Sequence, residues 1–180
     1  MEVLKNRKTA ALILALVVVL SALLGGWRSL SALSSDVEKA FTEGEEGFSI
    51  QRDLNERMTQ AVNLTAVAKR YLSPDDARIT AVTDARNALD AAKTPGEKYR
   101  ANQQLSEAFS VLYYALEDMD LTEKDEEYRG KFYGEMLSRN DTISRDPYNE
   151  KAGAFNETLR QFPANLIGKL FSVSPAELYA

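Results

Sequence analysis

The sequence predicts an all-α protein, an N-terminal transmembrane helix followed by an antiparallel four-helix bundle with long helices, and three observations carry that reading. Residues 10–24 contain one polar side chain, Ser21. Beyond them, apolar residues recur at spacings of three and four, the period of a helical stripe that faces a core. Between the stripes fall prolines, glycines and capping side chains, while no Asn-Gly turn or alternating apolar run marks a strand.

Composition narrows the function before any motif does. A chain of 180 residues has room for one anchor and one domain of ordinary size. Hydrophobic residues make up 44% of it, but many sit in the N-terminal block, so the remainder is polar, charged and rich in alanine. The absence of cysteine excludes disulfides, zinc ribbons, thiol nucleophiles and a lipidated cysteine. The absence of histidine removes the usual general base, the commonest transition-metal ligand and the Glu-x-x-His pairs of di-iron bundles. Neither a cofactor nor a metal is expected. The net charge is −5, and Lys5, Arg7 and Lys8 all precede the apolar block, so the chain beyond that block is more acidic than the total. Nucleic acid is therefore not an expected partner.

The first element is the anchor. With Gly25, Gly26 and Trp27 the apolar run approaches the ~20 residues a helix needs to cross a bilayer, and Trp27 suits the far interface. Basic residues before the run and Asp36, Glu38, Glu43, Glu45 and Glu46 after it place the N-terminus in the cytoplasm. A cleaved signal peptide is the competing reading. Ser29 and Ser31 offer a small-x-small site for it, but Trp27 and Arg28 crowd the approach and helical sequence continues without a break. The expected organisation is residues 1–27 as cytoplasmic N-terminus and membrane anchor, and residues 28–180 as an extracytoplasmic bundle on the outer side of the cytoplasmic membrane.

From Leu30 a stripe through Val37, Leu54, Met58, Ala61 and Ala68 to Leu72 predicts one long helix continuing from the anchor, widened by Phe41, Phe48 and Val62. Gly44, Gly47 and Gln51 weaken its middle, where a bend or close helix contact is expected. Ser73, Pro74, Asp75 and Asp76 read as the next helix start, with Ile79, Val82, Ala85 and Leu89 as its buried stripe. Thr94 and Glu97 form a capping box for a third helix that buries Leu105, Phe109, Leu112 and Leu116. Thr122 with Asp125 opens a fourth, in which Tyr128, Phe132, Met136, Ile143, Phe155 and Leu159 face the core and Pro147 introduces a kink. After Pro163 comes an apolar tail, too short to span a membrane. It either docks on the bundle end or meets lipid or a partner.

Specific residues then point to a family. Tyr148 and Asn149 recur seven positions later as Phe155 and Asn156, and Arg160, Gln161, Phe162, Pro163, Ala164, Asn165, Leu166 and Ile167 resemble the closing Arg-x-Phe-Pro-x-Asn-Leu-Ile stretch of the LemA family. Val82, Thr83, Asp84, Ala85 and Arg86 resemble its Val-Thr-x-Ala-Arg segment, and Asn63, Leu64 and Tyr71 add support. The resemblance implies one membrane helix followed by a long-helix antiparallel bundle, and no reaction or catalytic residue. The chain departs from the family at Thr59, Gln60, Ala61 and Val62, where an Asp-Leu-Ile-Pro run is usual, and at Pro147. A first-helix kink is therefore expected to be missing.

The candidate interaction residues are Phe162, Pro163, Asn165, Leu166, Ile167, Leu170 and Phe171 in the tail, with Asn149 and Asn156 on one helical face, positioned to set register or to hydrogen-bond the tail. Tyr113, Tyr114, Tyr128, Phe132 and Tyr133 gather near one turn, where core packing is the simpler reading and a ligand pocket the sharper one. Asp118, Asp120 and Thr122 begin like a calcium loop, but Glu123 and Arg129 occupy the positions of its glycine and final glutamate. Glu43, Glu45 and Glu46 read as a solvated face. The chain is thus expected to be a non-catalytic, membrane-anchored interaction or scaffold protein, with the lipid bilayer (residues 10–27) and an unidentified protein as partners. The alternative is a sensory or small-ligand-binding bundle.

Overall fold

Short polar side chains decide where the helices begin. The computed structural model describes residues 7–44 and 47–180, and among these holds seven helices: α1 (Arg7–Thr42), α2 (Ile50–Ala68), α3 (Ala77–Ala91), α4 (Pro95–Glu117), α5 (Glu123–Ser144), α6 (Tyr148–Arg160) and α7 (Ala164–Phe171). Thr94 and Glu97 close the expected capping box on α4, and the Thr122 hydroxyl accepts from the Asp125 N–H to start α5. The expected start at Ser73 and Pro74 is displaced. Asp76 caps α3, accepting from the Arg78 N–H and pairing with its guanidinium, while the Ser73 hydroxyl turns to Asp75. An ionised cap that also holds an arginine outcompetes a neutral hydroxyl three residues earlier.

The long first helix expected to run to Leu72 is two helices. Gly44 and Gly47 adopt φ of 66° and 80°, and a Cβ on Gly44 would collide with the Phe48 carbonyl. Ser49 then caps α2 and donates to the Thr42 carbonyl at 3.0 Å, so the hydrogen bonds lost at the break are partly replaced. Phe48 is left 57% exposed and Val62 49%, so neither widens a buried stripe. Glu45, Glu46 and Lys5 lie outside the described residues. Across residues 59–62 α2 runs unbroken. At Pro147 the chain breaks instead of kinking: α5 stops at Ser144, and the Tyr148 N–H opens α6 by donating to the Asp146 carboxylate at 2.8 Å. Proline has no N–H to continue the ladder, and its ring excludes the preceding helical turn.

The chain forms two units. One, comprising Lys39–Glu150 and Glu177–Ala180, contains the bundle of α2 to α5. Asp53 early in α2 meets Arg139 late in α5, Arg57 reaches the Met136 carbonyl, and Arg70 just past α2 pairs with Asp125 at the start of α5, so these helices are antiparallel. Tyr113 and Tyr114 near the end of α4 meet Arg129 and Tyr133 in α5, and the short turn after Ala91 reverses α3 into α4. Leu54, Leu64, Val82, Leu89, Leu105, Phe109, Leu112 and Leu116 are buried between them, each worth about 1.5–3 kcal/mol of removal from water. The inward row of α5 is Asp125, Arg129, Met136 and Ile143, whereas Tyr128 and Phe132 are only half-buried and stack on each other.

The other unit joins the described part of Met1–Glu38 to Lys151–Ala176. Its α1 is long and apolar enough to cross a membrane, and Leu12, Leu14, Leu16, Leu20 and Leu24 stand exposed along it. Farther along, Leu33 and Val37 of α1 face Ala154, Phe155 and Thr158 of α6 across a cavity of about 340 Å³.

Candidate interaction site

Most of the tail residues singled out in the sequence sit in α7, and its two faces differ. Ile167 and Gly168 are buried, and the Phe171 ring stacks on Trp27 at 5.2 Å. Gly26 leaves room for the tip of the Ile167 side chain, since a Cβ there would stand 2.5 Å from its Cδ1. The opposite side leaves Phe162 79%, Leu166 56% and Leu170 62% exposed. Pro163 occupies the position before the first turn and offers no side-chain cap, and Ser172, at φ 56°, ends the helix in a left-handed turn. The Asn165 side-chain oxygen is buried without a partner. Within the same unit Asn156 grips the segment after α7, donating to the Ala176 carbonyl at 2.9 Å and accepting from its N–H at 2.8 Å.

In the bundle unit Asn149 grips Tyr179 in the same way, donating to its carbonyl at 3.0 Å and accepting from its N–H at 2.9 Å. The Tyr148 hydroxyl donates to the Glu177 carbonyl at 2.6 Å. These bonds fix an extended backbone by groups that every residue carries, so they hold a peptide without reading its sequence. The reading comes from the Tyr179 ring. It is 7% exposed, edge-on to Tyr99 at 5.3 Å and 6.1 Å from Phe41, and its hydroxyl accepts from Asn102 at 2.9 Å. A cavity of about 280 Å³ runs alongside, lined by Asn102, Gln103, Asn140, Ser144, Asn149 and Tyr179 among others.

Beneath this segment lies a buried cation. Arg57 is 1% exposed and donates to Asn102 Oδ1 at 2.8 Å, to the Met136 carbonyl at 2.6 Å and to the Ser106 hydroxyl. None of these acceptors is charged. Burial pulls the guanidinium down to about 10 and pushes the Tyr179 phenol up to about 12, so at neutral pH the pair is a cation beside a neutral hydroxyl, bridged by Asn102. Burial likewise raises the Asp53 carboxyl, against the pull of Arg139.

The sequence pattern singled out Asn149 and Asn156 but missed Arg57, Asn102 and Tyr179. Their signal was present: Asp53 and Arg57 share one helical face with Leu54 and Ala61, and Asn102 lies between buried Ala101 and Leu105. The aromatic residues stack on one another at half-buried positions, with Tyr113 on Tyr133 at 4.0 Å and Arg129 4.4 Å above Tyr113, while Tyr114 is 54% exposed. Asp118 ends α4 and Thr122 caps α5. Among the described residues no three acidic side chains stand where they would hold a metal ion.

The family model of the LemA family matches residues 48–180, from just before α2 to the end of the chain. No curated protein matches the chain.

Proposed function

The chain belongs to the LemA family, and on that footing we propose that it is a membrane-anchored interaction protein that works by gripping an extended protein segment and not by catalysis. The observation that carries this reading is the seat of Glu177–Ala180 in the bundle unit. There a side-chain amide takes both backbone groups of one residue, and a ring enters between Tyr99 and Phe41 above a buried Asn102–Arg57 pair. In this proposal the chain's own segment marks the kind of ligand the cleft accepts, an extended strand with an aromatic side chain. Residues 10–27 anchor the chain in the cytoplasmic membrane. Lys5, Arg7 and Lys8 keep the N-terminus in the cytoplasm and the bundle lies outside, as the charge asymmetry favours.

A chain lacking residues 177–180 tests the cleft. It is expected to bind a fluorescent peptide of residues 173–180 saturably, as read by anisotropy, and to lose that binding with Asn149→Ala or Asn102→Ala. Absence of binding, or binding indifferent to both asparagines, sinks the proposal. In cells, a photocross-linker at exposed Gln103 on the cleft rim is expected to capture one defined protein.

A second reading takes the neighbouring cavity as a small-ligand site, favoured by its polar walls of asparagine, glutamine and serine. Stabilisation by one metabolite, abolished by Asn140→Ala but indifferent to added peptide, separates it from the first.

A further inference from the structure

The outer face of α7 needs an occupant. Eight residues bury one side against α1 and present Leu166 and Leu170 on the other, with Phe162 just before them. The seat fixes the level of this helix along α1. Ile167 lies over Gly26 and Phe171 over Trp27, in the last turn of the 10–27 anchor, where Trp27 suits the far interface. We propose that α7 is an interfacial helix whose Phe162, Leu166 and Leu170 side chains enter the lipid surface beside the point where α1 leaves the bilayer. This rests on α1 being a retained membrane span.

Lipid is the occupant the geometry favours because the exposed face lies just above a surface that is itself lipid-facing. Leu20 and Leu24 of α1 stand about half exposed within two turns below Gly26, so apolar side chains of the span are open just below the level of α7. Arg28 and Lys169 are exposed at the same level. They supply cations where lipid phosphates lie. A helix of this length cannot span. It can lie in the boundary with an apolar face down, as amphipathic segments with basic and aromatic residues do. Two attachments at one level, the end of a span and an interfacial helix, also restrict rotation of the chain about the axis of α1.

The chain has no cysteine, so single-cysteine nitroxide labels report unambiguously. We place them in the full chain at Leu16→Cys in the span, Leu166→Cys and Leu170→Cys on α7, and Val111→Cys on the exposed side of α4. The chain is then set in nanodiscs of phosphatidylethanolamine and phosphatidylglycerol. Collisions with oxygen, which partitions into lipid, are compared with collisions with a water-soluble nickel chelate. The expected result is an oxygen-to-nickel ratio at 166 and 170 several-fold above that at 111 and below that at 16. A lipid-like signal at 16 with water-like signals at 166 and 170 overturns the interfacial role and leaves the span intact. Shielding of 166 and 170 from both reagents overturns it in favour of a protein cover, whether a second copy or a partner. A water-like signal at 16 overturns the membrane reading itself.

Discussion

Arg57 carries its charge into the bundle without a carboxylate to meet it, and the three neutral acceptors around it are themselves buried or half-buried. Truncation to alanine takes the donor from the Asn102 Oδ1 and the Met136 carbonyl and opens a cavity, while Ser106 keeps its bond to the Asn102 carbonyl, so Arg57→Ala is expected to cost about 3–5 kcal/mol. Arg57→Met fills most of the volume without the charge and is expected to cost markedly less. Urea unfolding of both variants in detergent, followed by circular dichroism, checks the ranking. Equal losses would mean that the lost hydrogen bonds alone matter at this position, since methionine restores the volume and not the donors. Asp125 is the opposite case. Its carboxyl is held below the usual range by the Tyr71 hydroxyl first, then by the Thr122 hydroxyl and Arg70. Because the folded value lies below the unfolded one, the stabilisation is full above the ordinary aspartate value of about 3.9 and is lost as pH falls through the lowered value. Thermal melts from pH 7 to pH 2.5 are expected to fall less steeply at the acid end for Asp125→Asn than for the unaltered chain, from a lower starting point at pH 7.

At the scale of elements, start signals were legible where they depend only on neighbours in sequence. Thr94 with Glu97 and Thr122 with Asp125 cap where expected because a capping hydroxyl needs nothing beyond the first turn it serves. Ser73 misleads because two residues that both suit a cap stand three apart, and only Arg78 settles which one wins. The break between α1 and α2 was legible as a weakness at Gly44 and Gly47, not as a stop. Glycine marks both a tolerated helical position and a left-handed turn, and the Phe48 carbonyl that crowds Gly44 becomes a neighbour only once the turn has formed. Gly44→Ala is therefore expected to destabilise by about 1–2 kcal/mol from the positive φ alone, with the carbonyl clash added. Thr94→Ala is expected to cost about 1 kcal/mol. Denaturant midpoints measure both, and an unchanged midpoint for Gly44→Ala would show that the chain can continue as one helix there.

For the whole molecule, the sharpest expectation is topological. A cysteine at exposed Val111 is expected to react with a membrane-impermeant maleimide on intact cells, because charge asymmetry favours an outside location for everything after residue 27. Reaction only after permeabilisation would reverse the orientation, and recovery of the chain in the soluble fraction would point to cleavage of the N-terminal segment. The candidate site was half legible on this scale. Asn149 and Asn156 stood out by their seven-residue spacing, whereas the partner of each lies 30 and 20 residues away, in a segment with no helical period to announce its place.

Local sequence was enough to settle the all-α class, the apolar N-terminal helix, the capping of α4 and α5 and the membership of a family, since each depends on periodicity, on length or on short motifs. Tertiary packing was needed to decide that the row expected to be one helix is two, that Arg57 rather than Met58 turns fully inward, and that the tail's last residues fill a cleft. These outcomes depend on which surfaces meet. A buried charge is tolerated only where distant acceptors converge on it, and a backbone is held only where a side-chain amide from another element reaches both of its polar groups.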